Sequence, residues 1–526
     1  KDENYLNNTI EYIRNNRIKH ELPKSKKIEK IKKEFLCSKE HAYRTEYTGG
    51  FDVVIGNPPY IKEYTNRQAF DGLHNHYCYQ GKMDLWYFFG SLALEITKKD
   101  KGLIGYIAPN NWITNDGASK FRNIVINNGK LIEFINFGDF KVFDTAGIQT
   151  MIYIMKRSDN NQNYSFDYSK VLDKRIKHEN AQLFLEKQND TKFEYFKTKI
   201  EKEKYLDKPI NFINAELSII INKIKTKQNF ELDKKEVAQG IVSPQDFLNK
   251  KNQEILGDNY KIGEGIFNLS QQEYDNLNLT TKEKELVKPF YTTSELSRFY
   301  GFSKNRLWII YTNSSFKKEE TIAPYPNLKR HLDRFKEVIT SDNKPYGLHR
   351  AREEKFFQGD KIISVRKCSR PTFTFTTFDC YISQTYFSIK TEKLDLKYLT
   401  ALLNSNLIAF WLKYKGKIQG DIYQVDKEPL LNLPIVKPTE QIQIQLSELV
   451  SQIIENKQKQ IDYSKLLEKA KAENNFDREI QIEKELEQIH QNIKKAENEI
   501  NVIVYNLYEL TDKEIAIIEK KLSLQN

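Results

Sequence analysis

Phe51-Asp52-Val53-Val54-Ile55-Gly56-Asn57-Pro58-Pro59-Tyr60 is a short apolar run closed by an asparagine, two prolines and an aromatic residue. The β-branched core of the run, Val53-Val54-Ile55, reads as a buried strand. The proline pair ends it, because each ring fixes φ at about −65° and removes an N–H. Outward from this stretch, short apolar runs alternate with amphipathic ones. Leu85–Ile96 has helical spacing, Gly102–Ala108 is a second strand, Gly117–Ile126 a helix, Leu131–Phe137 a third strand and Thr150–Met155 a fourth. This alternation predicts an α/β sheet with crossovers over residues 1–157. Ligands of open α/β sheets collect at the carboxyl ends of strands, which is where Asn57–Tyr60 falls.

The residue types there suit one kind of chemistry. The exocyclic amine of adenine is a weak nucleophile, because its lone pair is delocalised into the ring. The Asn57 side-chain oxygen and the Pro58 carbonyl can each accept one of its N–H groups. Two such acceptors favour the pyramidal amine of a transition state over the planar ground state. Pro58 and Pro59 stiffen the loop, so the acceptors need little reorganisation. Tyr60 can stack on a base, a contact worth roughly 1–3 kcal/mol. The competing reading is a plain proline turn after a strand.

Ile55-Gly56-Asn57-Pro58-Pro59-Tyr60 resembles motif IV of the gamma-class adenine-N6 DNA methyltransferases. Met83-Asp84-Leu85-Trp86-Tyr87 resembles the start of that family's next motif, a helix beside the cofactor. Phe89 falls where family members pack a side chain against the cofactor's adenine. Ile107-Ala108-Pro109-Asn110-Asn111-Trp112 resembles the strand end that follows, and Thr145-Ala146-Gly147-Ile148-Gln149-Thr150 leads into a strand as in the family. The resemblance implies a partial Rossmann-like methyltransferase sheet, S-adenosyl-L-methionine as methyl donor, and an adenine flipped out of its duplex. It assigns catalysis to Asn57, Pro58, Pro59 and Tyr60, and cofactor contact to Phe89. The chain departs from the family in two places. The aromatic residue expected opposite Tyr60 aligns with Met155, with Tyr153 on the same strand face, so either is a candidate for base stacking. The family's glycine-rich cofactor loop has no counterpart in residues 1–50, which are polar and lysine-rich up to about residue 45. With Lys1 in place of a methionine, the expectation is that the amino-terminal part of the catalytic domain is missing, along with any nuclease.

Residues 158–209 are rich in Asn, Asp and Lys and read as a linker or insertion. Residues 210–436 mix short strands, turns and helices, an α+β texture. Gly240-Ile241-Val242-Ser243, Lys288-Pro289-Phe290, Gly359-Asp360-Lys361-Ile362-Ile363, Leu402-Leu403-Asn404-Ser405 and Leu433-Pro434-Ile435 resemble, in this order, the TaqI-type target-recognition domain. Basic residues cluster at Arg350 and Arg352 and again at Arg366, Lys367 and Arg370, which makes these the candidates for contact with double-stranded DNA. Residues 437–526 read as a helical hairpin or coiled coil. Leu486, Ile489, Ile493, Ala496, Ile500, Ile503, Leu507 and Leu510 form a heptad seam, with a polar break at Asn474-Asn475 before it. Such a seam also permits self-association or a subunit contact. Val504–Thr511 resembles the closing segment of type IIG restriction–modification enzymes.

Bulk properties agree. The 526 residues suggest about three structural units. A net charge of +11 favours a polyanionic partner. No run approaches the roughly 20 apolar residues that span a bilayer. Cys37, Cys78, Cys368 and Cys380 form no Cys-x-x-Cys pair and have no histidine at ligand spacing, so free thiols in a cytoplasmic setting are expected, with no metal site. The leading expectation is a sequence-specific adenine-N6 methyltransferase of a restriction–modification system. The alternatives are a DNA-binding specificity module with a truncated or inactive catalytic domain, and an N-methyltransferase acting on RNA or protein.

Overall fold

The computed structural model describes residues 49–143, 147–159, 162–173, 175–419 and 422–523. The lysine-rich opening and the Thr145-Ala146 pair lie outside the described residues. The chain divides into two compact units, residues 1–219 and 220–526.

The first unit is built on β1 (Val53–Gly56), α1 (Trp86–Ile96), β2 (Leu103–Pro109), α2 (Ser119–Asn128), β3 (Gly129–Asn136), β4 (Thr150–Arg157), β5 (Tyr164–Val171), α3 (His178–Leu185) and β6 (Phe193–Ile200). The six strands form one mixed sheet in the order β1-β2-β4-β3-β5-β6. β1 and β2 are parallel across the α1 crossover, and β3 is parallel to β5. β4 is antiparallel to both its neighbours. Residues 158–209, expected as a linker or insertion, supply β5 and β6 to this sheet, and Phe212 packs on Phe134, Phe166 and Tyr168. The compact unit therefore extends well past residue 157. The polar residues of that stretch alternate with Tyr164, Phe166 and Tyr168, so its strands hold one apolar face.

α1 and α2 cover one face of the sheet. Phe121 of α2 sits among Trp86, Tyr87 and Trp112, with ring centroids 5.1–5.3 Å away. Gly90 of α1 lets this ring in: a Cβ there would stand 2.5 Å from Phe121 Cζ. The opposite face is more open near β1. Val53 is 62% exposed and Ile55 83%, so among the described residues the strand read as buried lies at the sheet edge with one face uncovered. The apolar run alone could not show which face the helices would take.

The second unit holds β7 (Val237–Gln239), β8 (Asn268–Ser270), β9 (Val287–Tyr291), β10 (Phe299–Tyr300), β11 (Leu307–Ile310), β12 (Lys361–Val365), β13 (Lys367–Cys368), β14 (Phe373–Thr376), β15 (Tyr381–Ile382), β16 (Tyr386–Ile389), β17 (Lys417–Gln419) and β18 (Ile422–Gln424). They form sheets ordered β10-β14-β12-β16-β7, β15-β9-β11-β8 and β13-β18-β17. α4 (Leu396–Asn404) and α5 (Asn406–Lys415) follow β16 in space, with α6 (Glu440–Ala472), α7 (Phe476–Leu507) and α8 (Asp512–Ser523) closing the chain.

α6 and α7 form the expected hairpin, turning at Asn474, whose φ is +53°. Its seam is spent inside the chain. Ile489, Ile493, Ala496 and Ile500 are buried, while toward the end of α7 burial passes to Val504, Tyr505 and Tyr508. The hairpin is also tied to the elements before it: Arg298 pairs with Glu497 at 3.0 Å, Lys397 Nζ of α4 donates to Ser451 Oγ of α6 at 2.8 Å, and the Asn406 N–H at the start of α5 donates to Asn501 Oδ1 of α7 at 2.7 Å. Residues 437–526 thus belong to the same compact unit as the sheets before them. Among the described residues no helix is long and apolar enough to cross a membrane.

Candidate active site and nucleic-acid face

Asn57–Tyr60 leaves the carboxyl end of β1 beside the end of β2. The Tyr60 hydroxyl stands 2.5 Å from Asn57 Oδ1 and 2.8 Å from the Ile107 carbonyl oxygen, so its one hydrogen is shared between two acceptors. Burial and the Asp84 carboxylate push the Tyr60 phenol well above its ordinary range, so it stays a donor. Asn57 is exposed, Pro58 buried, and Pro59 and Tyr60 half-buried. The segment beyond is locked to the start of α1. Leu85 N–H donates to Ile61 O at 2.8 Å and Glu63 N–H to Met83 O at 3.0 Å. Asp84 lies within this pairing, 4% exposed, with Oδ1 3.5 Å from the Trp86 N–H and the N–H groups of Ile61 and Leu85 close by. Burial outweighs these donors and Lys62, and its carboxyl is pushed up to about 6.

A second polar group stands at the same end of the sheet. Asn110 Nδ2 donates to Asn136 Oδ1 at 2.9 Å, Asn136 Nδ2 to the Tyr168 hydroxyl at 3.1 Å, and Asn110 N–H to Gln149 O at 3.0 Å. These bonds tie the ends of β2, β3 and β5 to the start of β4.

Tyr153 and Met155 do not face this mouth. They are 1% and 0% exposed, inside the core under α1. β4 starts opposite the carboxyl end of β2, with Thr150 against Pro109, and runs away from it, so Met155 is level with Ile104. The alignment located an aromatic position near a strand end, and the antiparallel direction of β4 turns that end from the site. Residues 137–143, which follow β3, are at the correct end. Phe137 and Phe140 are buried against Phe184 or His178, whereas Phe143 is half-exposed. Phe89 is half-buried on α1, and its carbonyl lies 3.5 Å from the hydroxyl of Tyr106, the residue paired with Gly56.

In the second unit the basic candidates separate by what holds them. Arg352, at φ +71°, donates to Gln239 Oε1 at 2.9 Å and to Gly240 O at 3.3 Å. Arg366 pairs with Asp426 at 2.5 Å. Arg370 donates to Asn406 Oδ1 at 2.9 Å. Arg350 and Lys367 are exposed, and their side chains have no partner among the described residues.

Residues 1–143 match the family described as Eco57I restriction-modification methylase, and residues 288–435 match the TaqI-like C-terminal specificity domain. The chain is a restriction-modification methyltransferase with a TaqI-like specificity domain. The type II methyltransferase M.HindII of Haemophilus influenzae is 23% identical to it over 445 residues, covering 78% of this chain and 80% of that one. The type II restriction enzyme and methyltransferase RM.Eco57I of Escherichia coli is 27% identical over 323 residues, 59% of this chain and 30% of that one. The type IIL restriction-modification enzyme MmeI, solved in complex with DNA, has a similar fold, with a TM-score of 0.53 at 12% identity. That likeness covers 90% of this chain and 57% of MmeI.

Within the methylase unit, Phe89 presents a half-buried aromatic side chain on α1. No glycine-rich loop follows a strand of this sheet among the described residues. Two groups at the methylase site escaped the sequence reading. Asp84 was quoted only as part of a motif, although a carboxylate two residues before an apolar helix stands close to its first N–H. The Ile107 carbonyl gave no signal, since a backbone acceptor becomes part of a site only through pairing.

Proposed function

We propose that this methyltransferase transfers a methyl group to the N6 amine of an adenine in double-stranded DNA, at a sequence read by its specificity domain. The observation that supports this most is the Asn57–Tyr60 loop at the carboxyl end of β1, with Tyr60 bonded to Asn57 and to the end of β2. Asn57 Oδ1 has two lone pairs. One faces the Tyr60 hydroxyl, and the other accepts an adenine N–H; the Pro58 carbonyl accepts the second. Both acceptors act on the amine as it pyramidalises, so their bonds strengthen in the transition state. The Tyr60 ring, half-buried and tethered by its hydroxyl, forms one wall for the flipped base. We assign the opposite wall to Phe143 in place of Tyr153 or Met155. S-Adenosyl-L-methionine, when bound, supplies an electrophilic methyl group, and Phe89 is the described residue suited to its adenine. After transfer the cationic amine loses its extra proton readily, so the site needs no strong base. Arg350 and Lys367 are the basic candidates available to DNA, while Arg352, Arg366 and Arg370 are engaged within the unit.

The test is long-read sequencing of DNA from cells carrying the complete gene with Asn57 or with Asn57→Ala. One short motif methylated at adenine only when Asn57 is present is the expected result. Good expression with no motif depending on Asn57 would sink the proposal.

A further inference from the structure

One surface of the specificity domain gathers cations around a short turn. The turn Ser383–Thr385 joins β15 to β16 and is pinned on three sides. Ile241 N–H donates to Ile382 O at 2.8 Å, Gly240 N–H to Tyr386 O at 3.0 Å, and Arg366 N–H to Thr385 O at 2.9 Å. Gln239 Nε2 holds the Gln384 carbonyl at 3.0 Å. Gly240 permits this approach, because a Cβ there would collide with the Ser383 and Ile382 carbonyl oxygens. Gln384 itself is exposed at the tip, and its side-chain amide has no partner among the described residues.

Arg350 is presented beside the same turn. Its backbone exchanges two 3.0 Å bonds with Val242, which directly follows Ile241. On the other flank, Arg366 O accepts from Val425 N–H at 2.7 Å, and Lys367 pairs in register with Gln424. Lys427 follows two residues after Val425, its ammonium 2.8 Å from Lys234 O. Burial lowers the pKa of Arg352 and of Lys427, and the charges of Arg350 on the first and of Arg352 and Lys234 on the second lower them further. Like charges have thus been brought together at a cost. The neighbouring carboxylates offset it only in part, Asp233 acting on Lys427 against Arg352 and Lys234. Asp426 is committed to Arg366 and to Gln424 Nε2, and Asp233 caps the turn at Lys235. A polyanion seated on this surface relieves the repulsion and releases its own counterions.

We propose that the surface around the Ser383–Thr385 turn is the DNA-reading edge, with Arg350 and Gln384 on base edges and Lys367 and Lys427 on phosphates. This rests on the reading of the chain as acting on duplex DNA. A guanidinium on a fixed strand pair suits bidentate contact with guanine, and a free carboxamide on a pinned turn suits adenine. Ammonium groups flanking them suit phosphate, which positions the duplex without reading it. Arg352 and Arg366 hold the surface together from beneath.

The experiment is selection of bound duplexes from a random pool by the full chain, followed by affinity measurements over a salt series. Wild type and Asn57→Ala are expected to enrich one and the same motif. Arg350→Ala and Gln384→Ala are expected each to lose roughly tenfold to hundredfold discrimination at one position of it. Arg350→Lys keeps the charge and loses the fork, so it should retain affinity and lose discrimination. Lys367→Ala and Lys427→Ala should weaken all sequences alike and lower the salt slope by about one each. Unchanged thermal midpoints separate these effects from misfolding. A wild-type chain that enriches no duplex sequence overturns the proposal. So does an unchanged motif, affinity and salt slope in all the variants, even when methylation at adenine is intact. Enrichment without methylation, altered by the variants as described, supports this surface and breaks only the enzymatic reading.

Discussion

The loop at Asn57 and the surface around Gln384 are both polar, and they are built on opposite plans. At the loop, the side chains are already bonded: Tyr60 to Asn57 and the Ile107 carbonyl, Asp84 to the Trp86 N–H. Around Gln384 the backbone is pinned while the side chains of Arg350, Lys367 and Gln384 have no partner among the described residues. The difference follows from the tasks. A transition state lasts too briefly to organise its surroundings, so acceptors must be aimed beforehand. A reading surface needs donors that water satisfies until a base edge replaces it, because a donor already bonded within the protein adds little discrimination.

If this contrast is sound, substitutions at the loop should act on rate and those on the surface on recognition. The largest effect is expected for Asn57→Ala, which removes an acceptor used in the transition state. The turnover number should fall roughly a hundredfold to a thousandfold with duplex affinity nearly unchanged, read by single-turnover methylation beside a binding titration. A parallel loss of affinity would show that Asn57 holds the ground state instead.

Asp84 comes next. Its carboxyl sits at about 6 in the folded protein against an ordinary 3.8. Between about pH 4 and pH 6 the folded state therefore keeps a proton that the unfolded chain has released. Stability falls as pH rises through that window, and the full cost is present above it. Asp84→Asn should raise stability at pH 7 by on the order of 1–3 kcal/mol, with the gain vanishing below about pH 4. Urea melts at the two pH values check this, and a gain that persists in acid would mean a different origin.

Tyr60→Phe keeps the ring and removes the bond to Asn57 and Ile107. The turnover number should drop about tenfold, equivalent to about 1.4 kcal/mol, with KM nearly constant. An unaltered rate would show that Asn57 is aimed without Tyr60. The smallest effect concerns the underside of the reading surface. A double-mutant cycle on Arg366 and Asp426, a half-exposed pair at 2.5 Å, should give a coupling under about 1 kcal/mol. A larger value would mean that the surface is stiffened by this pair more than by its backbone bonds.

Much of the architecture was legible beforehand because it depends on local chemistry. The helix at Trp86–Ile96, the strands at Leu103–Pro109 and Thr150–Arg157, and the turn at Asn474 each carry their signal within a few residues. The stretch 158–209 was misread because its polar residues hide a period-two apolar face. Val53 and Ile55 were read as buried because a β-branched run does not reveal whether a second layer covers it. Tyr153 and Met155 were read as base-stacking candidates because spacing gives a residue's position and leaves out the direction of its strand.

By itself the sequence determined the chemistry on offer: an asparagine, two prolines and a tyrosine after a strand, a basic chain, and two segments whose motifs match a methylase and a specificity domain. These are properties of residue types in order, and they survive any packing. Only the tertiary structure decided which of them are free to act. It turned Met155 and Tyr153 into the core by running β4 antiparallel. It bonded Tyr60 to Asn57 across a turn of the loop, and it spent Arg352 and Arg366 on acceptors while leaving Arg350 and Gln384 open. Availability is set by which distant groups compete for the same donor, and that competition is settled only when the chain has packed.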